Sequence, residues 1–198
     1  MEGLVTVDST IRTILTEADL LQLGAHDRRF EVIDGEIVDM SPVGIRHMDI
    51  GLNVFRVFDP IVQANKLGVV RTDGLIFVLY QDAERGIRTT RIPDVSFVRK
   101  GRLPQGFDRS RPFPGAPDLA VEIVSPDESA DDLLAKIRDY LTYGTEHVLV
   151  LYPEQVELHQ YIQGEKGSHI YAENDMFSLT MFPGLQVRVG DLFVLPED

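Results

Sequence analysis

A chain of 198 residues, 43% hydrophobic and 26% charged, is long enough for one domain with a sizeable core and too short for two comfortable ones. Without cysteine there are no disulfides, no thiol catalysis and no cysteine zinc sites, and no apolar run approaches the ~20 residues that span a bilayer. The opening "MEGLVTVDSTIRT" has neither a basic start nor an apolar signal core, so the expectation is a cytoplasmic protein with no membrane partner; a net charge of −13 repels nucleic acid at long range.

Residues 1–14 read as a peripheral extension of a single domain spanning 1–198. Thr16 to Leu23 then carries a short helix, with Thr16 as N-cap and Asp19 in the capping-box position. "FEVIDGEIVDM" alternates around Asp34-Gly35, a strong short hairpin signal, and Pro42 and Gly44 close it. From Ile45 to about Lys66, Ile45, Met48, Leu52, Phe55, Phe58 and Val62 form a helical stripe, with Pro60 placed to kink or restart the helix.

Strands follow around Val69 to Thr72, over "LIFVLY" (Leu75 to Tyr80) and over "IPDVSFV" (Ile92 to Val98). Next comes "RKGRLPQGFDRSRPFPGAP", with Arg99, Lys100, Arg102, Arg109 and Arg111 against one acid, Asp108. It is open to two readings: a solvated loop, or a place on an acidic protein where a phosphate backbone is received, through Arg109 and Arg111. "PDLAVEIVSP" is a further strand. "SADDLLAKIRDYLTYG" is a helix with Ser129 as N-cap, Leu133, Ile137, Tyr140 and Leu141 on one stripe, and Gly144 at its stop. "HVLVLYP" and "VELHQYIQ" pair around Pro153-Glu154, and the tail adds one or two strands. Helices packed on a central mixed sheet are the predicted α/β architecture.

Common catalytic signatures are missing: no G-x-S-x-G elbow, no Walker-type loop, no H-E-x-x-H and no dinucleotide fingerprint. The five histidines are scattered; His47, near the start of the long helix and beside the hairpin, is the one placed to act. Two carboxylates stand out by position. Asp94 follows Pro93 in "IPDVSFV", and Glu122 lies inside "LAVEIV", where an ionised carboxylate costs several kcal/mol unless something pairs with it. Singly, Asp94 suits a strand start and Glu122 suits a buried ion pair. Together they suggest a shared divalent cation, and Mg²⁺ binds through one or two carboxylates plus waters and substrate phosphate.

"IPDV", then "APDLAVEIVSP", then a helix with "KIRDY" resembles the PD-(D/E)XK nucleases, and more narrowly the Uma-type family of restriction endonucleases. "FEVIDGEIVDMSP" with its following "RH", "YGTEHVLVLYP" and "FPGLQVRVGDLF" extend the resemblance from about Leu15 to Phe193. It implies a restriction-endonuclease-like fold with an added N-terminal hairpin. It further implies Asp94, Glu122 and the carbonyl of Ile123 as ligands of Mg²⁺ (or Mn²⁺), and DNA as substrate. A homodimer would suit cutting both strands.

The superfamily's lysine, two residues past the acid, is Val124 here. Lys136 is the substitute the family pattern offers, with Tyr140 one turn further on the same face; without that pattern it is a snorkelling lysine at the core's edge. Glu31 matches an acidic position of the family and is either a further acid of the metal site or a solvent-facing hairpin residue. Val124 and the net charge also leave room for a degenerate, non-catalytic module that binds nucleic acid or protein, and a third reading is a hydrolase of some other phosphoester.

Overall fold

The computed structural model describes residues 14–24 and 29–196. Of the extension expected over residues 1–14, all but Ile14 lies outside them, as does His26.

Helix α1 (Glu17–Gly24) starts where Thr16 and Asp19 satisfy each other's backbone: Thr16 N–H donates to Asp19 Oδ2 at 2.8 Å and Asp19 N–H to Thr16 Oγ1 at 3.3 Å. Strands β1 (Phe30–Ile33) and β2 (Glu36–Asp39) turn through Asp34 and Gly35, whose φ values of 52° and 83° are those of the two-residue turn that suits a twisted hairpin. Helix α2 (Ile45–Ala64) continues through Pro60 as one element, so no restart occurs there. Its buried face is Ile50, Val54, Phe58 and Val62, one residue every four. Ile45, Met48 and Leu52 are exposed, so the expected stripe merged two faces of the helix.

Strand β3 (Gly68–Thr72) is followed by β4 (Phe77–Asp82), β5 (Gly86–Arg91), β6 (Val95–Arg99), β7 (Phe113–Pro114) and β8 (Leu119–Ile123). "GIRTTR" of β5 was absent from the sequence reading because polar residues fill it, yet Ile87, Thr89, Thr90 and Arg91 are buried. Helix α3 (Ala130–Thr142) is capped by Ser129, whose Oγ accepts the Asp132 N–H at 3.1 Å. After it come β9 (His147–Tyr152), β10 (Glu157–Ile162), β11 (His169–Tyr171), β12 (Met176–Phe177), β13 (Val187–Arg188) and a 3₁₀ turn, Val189–Phe193.

The main sheet runs β11-β10-β9-β8-β6-β3; β8 and β9 are parallel and the other neighbours antiparallel, so it is mixed as expected. A second sheet has the order β5-β4-β7. Side chains alternate across β8. Leu119, Val121 and Ile123 join the core under α2, where Phe182 meets Phe58 and Phe97 edge-on with ring centres 5.2 and 4.8 Å apart. Ala120 joins Leu133, Ile137 and Tyr140 of α3 in a second core. Glu122 therefore points at α3 from the centre of the sheet.

Candidate active site

The pairing of β6 with β8 sets the site. Val95 stands opposite Val121, and one step outward the same register brings Asp94, the residue before β6, opposite Glu122 at the end of β8. The Asp94 carboxylate is fixed there because its Oδ2 accepts the Ile123 N–H at 2.7 Å. It thus caps the ladder where β6 begins, as a strand-start aspartate does, and still borders the cleft.

Glu122 is 3% exposed and held from α3. Tyr140 Oη donates to Oε1 at 2.7 Å, and Lys136 Nζ donates to Oε2 at 3.2 Å. The one-turn spacing of these two residues puts both on the same helix face. Lys136 also pairs with Glu128 at 2.8 Å, so its ammonium is shared between two carboxylates. Burial drives the Glu122 carboxyl up to about 8; Lys136 pulls it down, while the negative charges of Asp94 and Glu31 add to the rise. For Lys136, burial acts downward but is outweighed by Glu122, Glu128 and Glu31, and the ammonium is held well above its ordinary value. Burial, then the Glu122 and Glu31 charges, also raise the Tyr140 phenol and keep it a hydrogen-bond donor.

These groups face a cleft of about 590 Å³ that Asp94, Glu122, Ile123, Lys136, His47 and Glu31 border. Tyr140 lies behind Glu122, fully buried. His47 projects from the first turn of α2. Its Nδ1 is 3.3 Å from Ser125 Oγ, and its Nε2 comes within 2.8 Å of Asp94 Oδ1. That second approach lacks the angle of a hydrogen bond, so Nε2 is a buried nitrogen without a hydrogen-bond partner. Ser125 therefore serves His47.

Glu31 is neither solvent-facing nor free. Its Oε1 accepts the Ile92 N–H at 2.9 Å and its Oε2 the Arg91 guanidinium at 2.5 Å, while Arg91 also donates to Asp139 at 2.6 and 2.9 Å. The three charges clamp the hairpin, β5 and α3 around the cleft. Arg91, Asp139 and Glu128 were not among the residues singled out from the sequence. The one available signal was an arginine, Arg91, beside the apolar "IPDV", a position that demands an acidic partner when buried.

Arg109 and Arg111 are elsewhere. Both border a second groove, and Arg111 pairs with Glu17 of α1 at 2.5 Å. Asp118 holds the base of the same loop, accepting Arg99 N–H at 2.8 Å and pairing with Arg102 at 2.8 Å, a structural role.

The donors around Asp94 and Glu122 fit a hard divalent ion. They are oxygen-rich: the Asp94 and Glu122 carboxylates come from adjacent positions of neighbouring strands and border one cleft, with Glu31 and Glu128 beside them. Among the described residues no three His, Asp or Glu side chains form a closed metal cage. An ion there would complete its shell from backbone carbonyl and water, the habit of Mg²⁺.

The mixed sheet and its flanking helices define a protein of nuclease fold. A solved structure described as a "putative nuclease", from Anabaena variabilis ATCC 29413, superposes with a TM-score of 0.74, covering 90% of this chain and 97% of that one at 19% identity. No curated protein matches the chain. The Uma2 family model, described as "Putative restriction endonuclease", matches residues 17–190, and the chain belongs to that family. Among the described residues no helix is long and apolar enough to cross a membrane.

Proposed function

We propose that the chain is a divalent-metal-dependent endonuclease that hydrolyses phosphodiester bonds in DNA. One observation carries this: Asp94 and Glu122, from neighbouring antiparallel strands, border one cleft with the Lys136 ammonium 3.2 Å from Glu122. Asp94, Glu122 and the Ile123 carbonyl would hold Mg²⁺ or Mn²⁺. Bound there, such an ion supplies Lewis-acid polarisation of the phosphate and a water of lowered pKa.

The chain's own side chains do the positioning. Lys136 acts as a cationic donor that orients the attacking water and stabilises charge developing on the phosphate. Tyr140 fixes the Glu122 carboxylate in rotation through Oε1 and leaves Oε2 facing the lysine. Glu128 shares the Lys136 ammonium with Glu122. The superfamily's usual lysine position, Val124, is bypassed because α3 delivers an ammonium to the same carboxylate from above the sheet.

A second reading is favoured by the same geometry: Glu122 is already satisfied by Lys136 and Tyr140, as in a degenerate module that binds without cleaving. Incubating plasmid and single-stranded DNA with the protein in Mg²⁺ or Mn²⁺, beside Glu122→Gln, separates the two. Metal-dependent cleavage lost in the variant is expected; equal cleavage by both proteins, or none by either, overturns the nuclease reading.

A further inference from the structure

The loop from Arg99 to Pro117 does not hang free in solvent. It folds over the edge strand β3 and, with the end of α2, encloses a groove of about 490 Å³. Seven cationic side chains border this groove and no carboxylate does, in a chain of net charge −13. Three of the seven are neutralised: Arg99 by Glu146, Arg102 by Asp118 and Arg111 by Glu17. Lys66, Lys100 and Arg109 have no acidic partner among the described residues, and Arg71 donates only to its own strand's Val70 carbonyl. Four cations without acidic partners around one depression give it a positive potential that attracts an anionic ligand.

The floor between them is apolar. Leu103 and the half-buried ring of Phe107 lie there, with the Arg111 guanidinium 5.7 Å from the ring centre. Cations beside an apolar floor with an aromatic ring match a ligand that alternates phosphate and a flat ring. Bases stacked inside a duplex cannot reach a recessed floor; unpaired bases can. The groove also lies at the opposite end of β6 from Asp94, five residues or about 17 Å along an extended strand. It is a separate site from the cleft.

We infer that this groove binds a single-stranded nucleic-acid segment, with Lys66, Arg71, Lys100 and Arg109 on its phosphates and Phe107 against a base. The inference deepens the nuclease reading by naming the form of nucleic acid the protein holds outside the scissile bond.

The test is fluorescence anisotropy of a short labelled single-stranded oligonucleotide with the full chain in EDTA, where nothing is cut, over a range of salt. Each phosphate contact on a single strand contributes about 0.7 to the salt slope. The triple variant Lys66→Ala, Lys100→Ala, Arg109→Ala should therefore lose roughly two units of slope and most of its affinity. Phe107→Ala should weaken binding about fivefold or more with the slope unchanged. Calorimetric Mn²⁺ binding, unaffected in these variants, reports that the fold and the cleft are intact. Duplex of the same sequence binding as tightly as the single strand, or an unchanged slope in the triple variant, overturns the inference. Cleavage that persists without groove-dependent binding sinks the groove and spares the nuclease reading. Groove binding without any metal-dependent cleavage does the reverse.

Discussion

The two ends of β6 carry opposite charge. At Asp94 the strand opens onto a cleft where Asp94, Glu122, Glu31 and Glu128 crowd together, and two of the cations bordering it, Arg91 and Lys136, are each shared between two carboxylates. At Arg99 the same strand ends in a groove whose charged lining residues are all cations. Five residues separate an excess of negative charge that a metal ion can neutralise from an excess of positive charge that phosphate can neutralise. A net charge summed over the chain describes neither end. The −13 that argues against a nucleic-acid partner is a poor guide when seven of the 19 basic residues border one groove.

The largest expected effect is at the acidic end. Asp94→Asn or Glu122→Gln should lower metal-dependent cleavage by about a thousandfold or more, since each removes charge that holds a Lewis acid worth several kcal/mol in the transition state. Time courses on DNA check it; a loss below tenfold would mean the acids are structural. Next is the clamp. Arg91→Met leaves Glu31 buried without its cation, and breaking such an ion pair costs about 3–5 kcal/mol in urea denaturation. A small cost would show that the hairpin is not held by this charge.

The pH dependence sharpens the comparison further. Glu122 binds its proton more tightly folded than unfolded, with a folded value of about 8 against 4.5. Between those limits the folded state holds more protons, so metal-free stability falls as pH rises from about 4.5 to 8, by up to about 1.4 kcal/mol per pH unit. Below that window both states are protonated, and above it both are ionised, so the slope from this group vanishes. Glu122→Gln should flatten the fall between pH 5 and 8; an equally steep profile in the variant would assign the slope elsewhere. The smallest effect belongs to the basic end. Arg111→Ala breaks a partly exposed pair with Glu17 and should cost no more than about 1 kcal/mol by the same denaturation; a larger loss would make the loop part of the core.

Much of this was legible in the sequence, for physical reasons that differ by element. The β1–β2 hairpin follows from Asp34-Gly35, which alone tolerate the turn's positive φ in that stretch, and α1 and α3 follow from their caps. Asp94 and Glu122 could be singled out because a carboxylate among apolar strand residues is costly, and Lys136 with Tyr140 because four residues make one helical turn. What stayed hidden depended on tertiary partners. The face of α2 was misread because exposed Ile45, Met48 and Leu52 mimic a buried stripe. Strand β5 and the Arg91 clamp were missed because polar residues become interior only when Glu31 and Asp139 arrive from distant parts of the chain. Arg111, open from sequence to a solvated or a phosphate-binding reading, pairs with Glu17, 94 residues earlier, a partner that only the fold brings near.

The central claim is that Asp94 and Glu122 jointly hold a cation, and thermal denaturation with and without Mg²⁺ or Mn²⁺ tests it most directly. Because Lys136 keeps Glu128 as a partner, Glu122→Gln does not strand a buried ammonium, and the variant should remain folded. Metal should raise the wild-type midpoint, since an ion that binds only the folded state stabilises it by mass action, and leave the midpoints of Glu122→Gln and Asp94→Asn unmoved. A wild-type midpoint indifferent to metal, or one raised equally in all three proteins, would contradict the account.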